Sequence, residues 1–172
     1  MPSLADPNFS KTLTYICEHN NNGALGIVVN RPTTLTVHEL CERLDVSVRG
    51  AVGSMPVYEG GPVQKDRGFV LHRPIGNWQS TLVVHETLGL TTSRDVLQAL
   101  ADGRGPDQLL ISLGYAGWGA GQLENEIKQN AWLTVNAAPE VIFDTPVEER
   151  VPAAMRLLGI EFGRLSDVAG HA

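Results

Sequence analysis

Apolar and polar residues alternate over several short stretches of the chain, with the period of strands that have one buried face. Residues 12–19 alternate in this way, and an Asn-rich turn at 20–23 leads to a second strand over 24–30, so the pair is predicted to form a hairpin. Further strands are predicted at 56–59, 68–73, 81–85, 109–113, 132–135 and 141–143.

Three stretches have the spacing of amphipathic helices instead. Thr36 is predicted to cap a short helix, Ser93 to cap a second that ends at Gly103, and residues 147–158 to form a third that Gly159 ends. Strands outnumber helices and do not alternate regularly with them, so the pattern predicts an α+β fold with a mixed or mainly antiparallel sheet. A chain of 172 residues without a linker is expected to form a single compact domain.

A glycine-rich segment connects the predicted strand at 109–113 to a helical pattern that contains Leu123 and Ile127. Glycine at such density indicates unusual backbone angles or a close neighbour, so we expect a positive φ or a crowded Cβ position at one glycine or more. Phosphate binding is not expected, because Gln122 replaces the last glycine of a dinucleotide fingerprint and no P-loop lysine follows. The segment carries Gly114, Gly117, Gly119 and Gly121, interleaved with Tyr115 and Trp118.

The net charge of −6 disfavours general attraction to nucleic acid, and the basic residues are scattered singly. The apolar runs are too short to span a bilayer, and no signal segment opens the sequence, so we expect a cytoplasmic protein. In that reducing compartment Cys17 and Cys41 are expected to be buried thiols.

Motifs of common enzyme classes are missing from the sequence. No serine lies in a G-x-S-x-G elbow, and His85-Glu86 is followed by Gly89 where a zincin has its second histidine. Cys17 and His19 lie two apart on a predicted strand and face the same side, but a pair is not a metal site. We therefore expect no metal, no cofactor and no assigned catalytic residue.

Polar and aromatic side chains at the predicted strand ends are the candidates for a ligand site, because binding groups are often held on loops beside a rigid sheet. A neutral or cationic planar group stacked on Trp118 would suit such a site. The alternative is structural: a turn before proline, aromatic residues in the core, and histidines bonded to the backbone. The candidates are His19, Asn30, Arg31, His72, Tyr115, Trp118 and Gln122.

Several blocks of the sequence resemble the AlgH (YqgE) family of bacterial proteins. The glycine segment with Gln122, Glu124 and Trp132 looks like the signature of that family. Supporting blocks run along most of the chain: residues 1–9 (MPSLADPNF), 23–32 (GALGIVVNRP), 60–63 (GGPV), 66–72 (DRGFVLH) and the ends 159–160 and 170–172.

The resemblance implies a compact α+β fold built on a small, strongly curved, barrel-like sheet with helices around it. It implies no established enzyme activity, and the label of transcriptional regulator comes with it. The sequence departs from the family in two ways: family members usually carry a further N-terminal segment and strand, and Val151 stands where tryptophan commonly follows Arg150. A sheet edge is therefore expected to be exposed at residues 12–18.

Three classes of function remain after the sequence has been considered. The first is a cytosolic binding or regulatory protein that recognises a small molecule or a protein and does not catalyse a reaction. The second, a transcriptional regulator that contacts DNA directly, is disfavoured by the charge and by the lack of a helix-turn-helix pattern. The third, an unrecognised enzyme, would require an acid, base or nucleophile that converges in a pocket.

Overall fold

A computed structural model describes residues 11–158 of the chain. Its strands are β1 (Thr14–Asn20), β2 (Gly23–Val28), β3 (Pro32–Thr36), β4 (Pro56–Glu59), β5 (Val63–Arg73), β6 (Thr81–Val83), β7 (Gly89–Thr91) and β8 (Gln108–Gly119). Its helices are α1 (Val37–Glu42), α2 (Gly50–Gly53), α3 (Asp95–Ala101), α4 (Gln122–Lys128), α5 (Pro139–Phe143) and α6 (Arg150–Leu157), and a 3-10 turn spans Val147–Glu149. None of these helices has the length and hydropathy needed to cross a membrane.

The described strands form one curved sheet in the order β1-β2-β8-β5-β7-β6, and β4 joins β8 to β3. The β4–β8 pair is parallel and the other pairs are antiparallel, so the α+β fold with a curled, half-barrel sheet is confirmed. The strand β1 lies at one end of the order and pairs only with β2 among the described residues. The strand β6 lies at the other end.

Both faces of the central strand β8 are buried, because helices and the curled sheet cover both of them. Leu110 packs with Leu71 and Ile27 in one core, whereas its neighbour Ile111 packs with Val70 in a second. Successive residues of a strand point to opposite faces. The unbroken apolar run at 109–111 is therefore a strand that is buried on both faces.

Thr36 and Ser93 were both predicted to be helix N-caps, and only Thr36 is one. Thr36 caps α1 as predicted, and it forms a capping box in which Glu39 bonds the Thr36 backbone. Ser93 is not the N-cap of α3, which is Arg94. The Ser93 hydroxyl instead donates to the carboxylate of Asp95 and accepts from the backbone N–H of Ser80.

Several sequence-based element boundaries are wrong. Residues 132–135 form no strand, and 141–143 belong to α5, because Pro139 begins a helical turn that buries Ile142. The glycine segment is not a loop: β8 continues through it to Gly119, since Trp118 pairs with Ala24 on β2. The strands β3 and β7 were not predicted from the sequence. Gly159 lies outside the described residues.

Gly114 of β8 lies so close to the turn at residues 60–61 that a side chain does not fit there. Gly114 has a φ of +78°, and a Cβ atom there would lie 2.4 Å from the carbonyl oxygen of Gly61. Gly121 has a similar φ of +73° but has open space around its Cβ position. The expected positive φ in the glycine segment is therefore confirmed. A side chain would be strained by the backbone conformation at both glycines, but it would clash with a neighbour only at Gly114.

His72 is a fully buried side chain of β5 that has two hydrogen-bond partners. Its Nδ1 lies 2.9 Å from the Pro74 carbonyl oxygen, which can only accept, so Nδ1 carries the proton. Its Nε2 lies 2.7 Å from the Thr91 hydroxyl and accepts from it in the neutral tautomer. Burial lowers the pKa of His72, and the bond to Pro74 opposes that shift.

We predict that Gly114→Ala destabilises the protein more than Gly121→Ala does. Both variants place a side chain at positive φ, which costs about 1 kcal/mol, but only the first drives a methyl group into the Gly61 carbonyl. Gly114→Ala is expected to cost about 3 kcal/mol or more, measured by urea unfolding. Equal free energies of unfolding for the two variants would contradict the importance of this contact.

We predict that His72 makes stability depend on pH below neutrality. Because its pKa is lowered in the folded state, the unfolded chain binds a proton that the folded chain does not, as the pH falls through the ordinary histidine value of about 6.5. The free energy of unfolding should therefore fall between pH 7.5 and 5.5, and fall less steeply in His72→Gln. The exposed His85 provides the control His85→Gln, which should keep the slope of the unmodified protein.

Candidate functional site

An apolar groove of about 220 Å³ lies beside β1. We call it the β1-edge groove. Residues from both sides of the sheet contribute to its walls, and Lys11 is the charged residue among them. Its walls are residues 11–16 and Val29, Trp118 of β8, Leu123 and Ile127 of α4, residues 132–138, Val141 and Ile142 of α5, and Val151, Ala154, Met155, Leu157 and Leu158 of α6 and its C-terminal end.

The groove lies along the edge of β1 rather than over one of its faces. Residues 11–16 line it without interruption, although successive side chains of a strand point to opposite faces. Only a cavity against the backbone edge touches every residue of such a run. The opposite wall at 132–138 is also an unbroken run and has no helix or strand assignment.

Each face of β1 contributes a different apolar wall to the groove. Tyr15 packs in the same core as Ile142 of α5. Thr14 and Ile16 lie on the other face, because a Cβ atom at Gly26 would touch both side chains. Ala24, two residues before Gly26, belongs to that face and packs with Trp118 and α4.

Glu126 holds the aromatic wall in place. Its Oε1 accepts from the indole N–H of Trp118 at 3.2 Å and from that of Trp132 at 2.8 Å. Its Oε2 accepts from the Gln122 amide at 2.9 Å. The two indole rings meet edge to face with centroids 5.8 Å apart. A carboxylate from α4 thereby fixes the two rings that border the groove.

Four of the sequence-predicted candidates lie at the groove or support it. Trp118 lines it, and Gln122 binds both Glu126 and the Gly119 backbone N–H at 2.9 Å. Asn30 accepts from the Leu13 N–H and donates to the Lys11 carbonyl, so it shapes the rim where β1 begins. His19 bonds Glu124 at 2.6 Å and ties β1 to α4, and this hydrogen bond lowers the pKa of Glu124.

The other three candidates lie elsewhere. His72 is buried against β7, and Tyr115 packs edge-on against Phe69 with centroids 5.4 Å apart. Arg31 precedes β3, and its carbonyl accepts from the Glu59 N–H. The structure therefore does not bring all seven candidates to one cavity. Its placement of Tyr115 and His72 matches the structural alternative for these two side chains.

Cys17 and His19 do not form a shared face as the alternation predicts. A register shift between Ile16 and Glu18 interrupts the strand, so Cys17 is buried while His19 is partly exposed. Burial raises the pKa of the Cys17 thiol to about 12, which keeps it protonated at neutral pH. Among residues 11–158, no three His, Cys, Asp or Glu side chains form a group that could hold a metal.

Two buried hydroxyl groups on β1 have no hydrogen-bond partner among residues 11–158. They belong to Thr14 and Tyr15, both of which line the groove. Burial is also the main reason why the pKa of Tyr15 is raised, with smaller contributions from Cys17 and Glu140. Buried hydroxyls without a partner are uncommon in folded proteins, so these two mark β1 as an unusual part of the groove wall.

A second, more open pocket of about 450 Å³ lies between residues of α1 and α2. His38 lines it, with Nδ1 2.9 Å from the Val48 carbonyl and Nε2 3.1 Å from the Glu42 carboxylate. Both ring nitrogens are thus used within the fold. The pocket also contains Arg49 and Ser54, and its two short helices offer no apolar wall comparable to that of the first groove.

Sequence reasoning missed most of the groove. Leu133, Met155 and Leu157 line it, yet they belong to segments that were predicted as a strand or as an ordinary helix. Leu133 and Leu157 are 43% and 53% exposed. The spacing of apolar residues in the sequence does not indicate that these two leucines are exposed. Trp132 was included in the family signature, but its bond to Glu126 could not be read from spacing.

Comparisons with known proteins match the chain over nearly its whole length. A family model described as AlgH-like covers residues 1–163. UPF0301 proteins of Dechloromonas aromatica and Nitrosospira multiformis are 60% and 57% identical over 173 residues, which cover 100% of this chain and 93% of each relative.

Two solved structures share the fold. The solution structure of the AlgH protein from Pseudomonas aeruginosa is 51% identical, has a TM-score of 0.82, and matches 96% of this chain and 88% of that one. A crystal structure of a Corynebacterium diphtheriae protein, 18% identical with a TM-score of 0.71 over 90% of this chain and 81% of that one, supports the fold alone. The whole-length match and the high identities show that this chain belongs to the AlgH-like family.

Proposed function

We propose that this protein is a binding protein without catalytic activity, and that the β1-edge groove receives an apolar partner. The observation that carries the proposal is the groove itself, which is bordered by the exposed apolar side chains of Ile16, Leu133, Leu157 and Leu158. Apolar side chains that remain exposed around one concave surface are a mark of an interaction site, whereas isolated ones are ordinary.

The size of the groove favours part of a polypeptide over an enclosed small molecule. Small-molecule sites have volumes of about 300–1,000 Å³ and surround most of the ligand. The groove holds about 220 Å³ and is elongated along six residues of chain. A polypeptide that lies along it and inserts a few side chains would use both its length and its apolar walls.

An enzymatic role has less support from the same residues. The Cys17 thiol has a raised pKa, His72 is bonded within the core, and the carboxylate of Glu126 accepts from two indoles. A general base or nucleophile needs a free reactive atom beside a substrate position. These three side chains are instead buried in the fold or bonded within it.

A regulatory role in the cytoplasm, exerted through a protein partner, agrees with this account. Direct action on DNA finds little support, because the chain carries a net charge of −6 and the α1–α2 pair consists of helices of six and four residues. A recognition helix in the major groove needs a basic face and several turns to reach base edges.

Binding of an apolar peptide should depend on the groove. As the test ligand we choose a heptapeptide with a Val-Leu-Val-Ile-Ala run and two glutamates at its amidated C-terminus. We expect Trp118 and Trp132 to report its binding by fluorescence, and we expect Leu133→Lys to weaken binding at least tenfold, because a charge would replace an apolar wall.

The matched control is Val83→Lys, which changes an exposed valine on β6 at the opposite end of the sheet. This variant should bind the heptapeptide as the unmodified protein does. Equal affinities of the Leu133 and Val83 variants, or no binding by the unmodified protein, would refute the groove as the binding site.

Mixed-sequence duplex DNA should bind no more tightly than about 10⁻⁴ M at physiological salt, because the acidic chain offers few phosphate contacts. A gel shift over a series of salt concentrations measures this. A submicromolar affinity with a steep salt dependence would overturn the preference for a protein partner over DNA.

A further inference from the structure

A chain of side-chain hydrogen bonds crosses the three strands β5, β7 and β6, away from the groove. Nε2 of His72 lies 2.7 Å from the Thr91 hydroxyl, and that hydroxyl lies 2.8 Å from the hydroxyl of Thr81. The Thr81 hydroxyl also lies 3.3 Å from the carbonyl oxygen of Trp78. The chain therefore leads from a titratable ring, through two hydroxyls, to an oxygen that can only accept.

The register of the sheet holds these side chains together. Thr91 pairs with Val70 on one side and with Thr81 on the other, and His72 pairs with Gly89. Val70 and His72 share a face of β5 because they are two residues apart. A Cβ atom at Gly89 would lie 3.1 Å from Cε1 of His72, so the ring lies directly against β7. His72 and Thr91 are fully buried at this position.

The neutral ring fixes the direction of every bond in the chain. Nδ1 donates to the Pro74 carbonyl, so Nε2 carries no proton and can only accept. The Thr91 hydroxyl must therefore donate to Nε2. Because Thr91 has then used its one proton, the Thr81 hydroxyl donates to Thr91.

A second proton on the ring reverses the chain without leaving a group unpaired. Nε2 becomes a donor to the Thr91 hydroxyl, and Thr91 in turn donates to Thr81. The Thr81 proton then turns to the Trp78 carbonyl. The N–H bond at Nε2 is the one bond that forms, and the two hydroxyls only rotate. A buried donor without an acceptor is costly, and the reversed chain avoids that cost.

None of the ion pairs formed within residues 11–158 includes this histidine. Strands β6 and β7 carry no titratable residue, and β8 places a leucine opposite the ring. On β5 itself, Arg73 points to the other face and pairs with Asp144. The carboxylate of Asp95 on α3 accepts from the Ser93 hydroxyl, and burial raises the pKa of Cys41 on α1, which keeps that thiol neutral. Protonation of the ring therefore depends on its burial and its hydrogen bonds.

We propose that His72, Thr91 and Thr81 form a pH-sensitive switch, in which both hydroxyls reverse their hydrogen bonds when the folded protein binds a proton at His72. Histidine is the usual side chain of such switches. The stability that is lost through His72 as the pH falls levels off once the folded state has bound the proton. The switch does not depend on the proposed binding function, because none of its three residues lines the β1-edge groove.

Nuclear magnetic resonance of the full chain with ¹⁵N-labelled histidine tests the switch, with a titration from about pH 7.5 downward. The shifts of the two ring nitrogens report where the protons are. His72 should carry a proton on Nδ1 alone at neutral pH, and on both nitrogens at lower pH while the amide spectrum is still that of the folded protein. A ring that stays neutral until the folded amide signals disappear would overturn the inference.

The variant Thr81→Val tests the role of the hydroxyl chain. Valine has a similar shape and leaves the Thr91 bond to the neutral ring, but the reversed Thr91 hydroxyl would have no acceptor. The affinity of His72 for its proton should therefore fall about tenfold or more. The matched control Thr81→Ser keeps the hydroxyl and should titrate as the unmodified protein does. The same titration in the valine and serine variants would refute the switch, and the titration of the unmodified protein decides if Thr81→Val does not fold.

Discussion

The pairing of β8 with three other strands is the constraint on which the rest of the structure depends. This strand bonds β2 near its end, β5 along most of its length and β4 in parallel, so it separates the two cores. The backbone of β8 at Gly114 lies directly against the backbone at Gly61, because neither residue has a side chain. A backbone so enclosed leaves little freedom to move, since dense packing transmits any shift to both cores.

The end of β8 also determines where the groove forms. Pairing with β2 as far as Gly119 puts Trp118 on the same face as Thr14 and Ile16 of β1, and the turn at Gly121 then directs α4 back over that face. Glu126 can consequently reach both indoles. The aromatic wall of the groove is thus a consequence of the sheet register, not an independent feature.

How much of this could be predicted from the sequence depended on the range of the interactions. Local patterns indicated the β1–β2 hairpin and the Thr36 cap correctly, because alternation and capping involve neighbours in the chain. The glycine segment was predicted as a loop, although pairing with β2 extends it as a strand. Long-range pairing overrides local propensity in such cases.

The site was less predictable than the fold for the same reason. Trp118 was identified by its glycine neighbours, and Asn30 and Gln122 proved to support the groove. Histidine and tyrosine are common in binding sites, yet His72 forms hydrogen bonds inside the fold and Tyr115 packs against Phe69. The walls at 132–138 and at Met155 are brought together only by the tertiary fold, and ordinary apolar residues give no advance indication of which cavity they line.

A structure of the full chain in complex with the acidic-ended apolar heptapeptide would test the central claim most directly. The account predicts that the peptide lies in the β1-edge groove, with its apolar side chains against Trp118, Leu133 and Met155. A peptide bound instead in the open pocket at His38 and Arg49, or at the β6 edge, would contradict it.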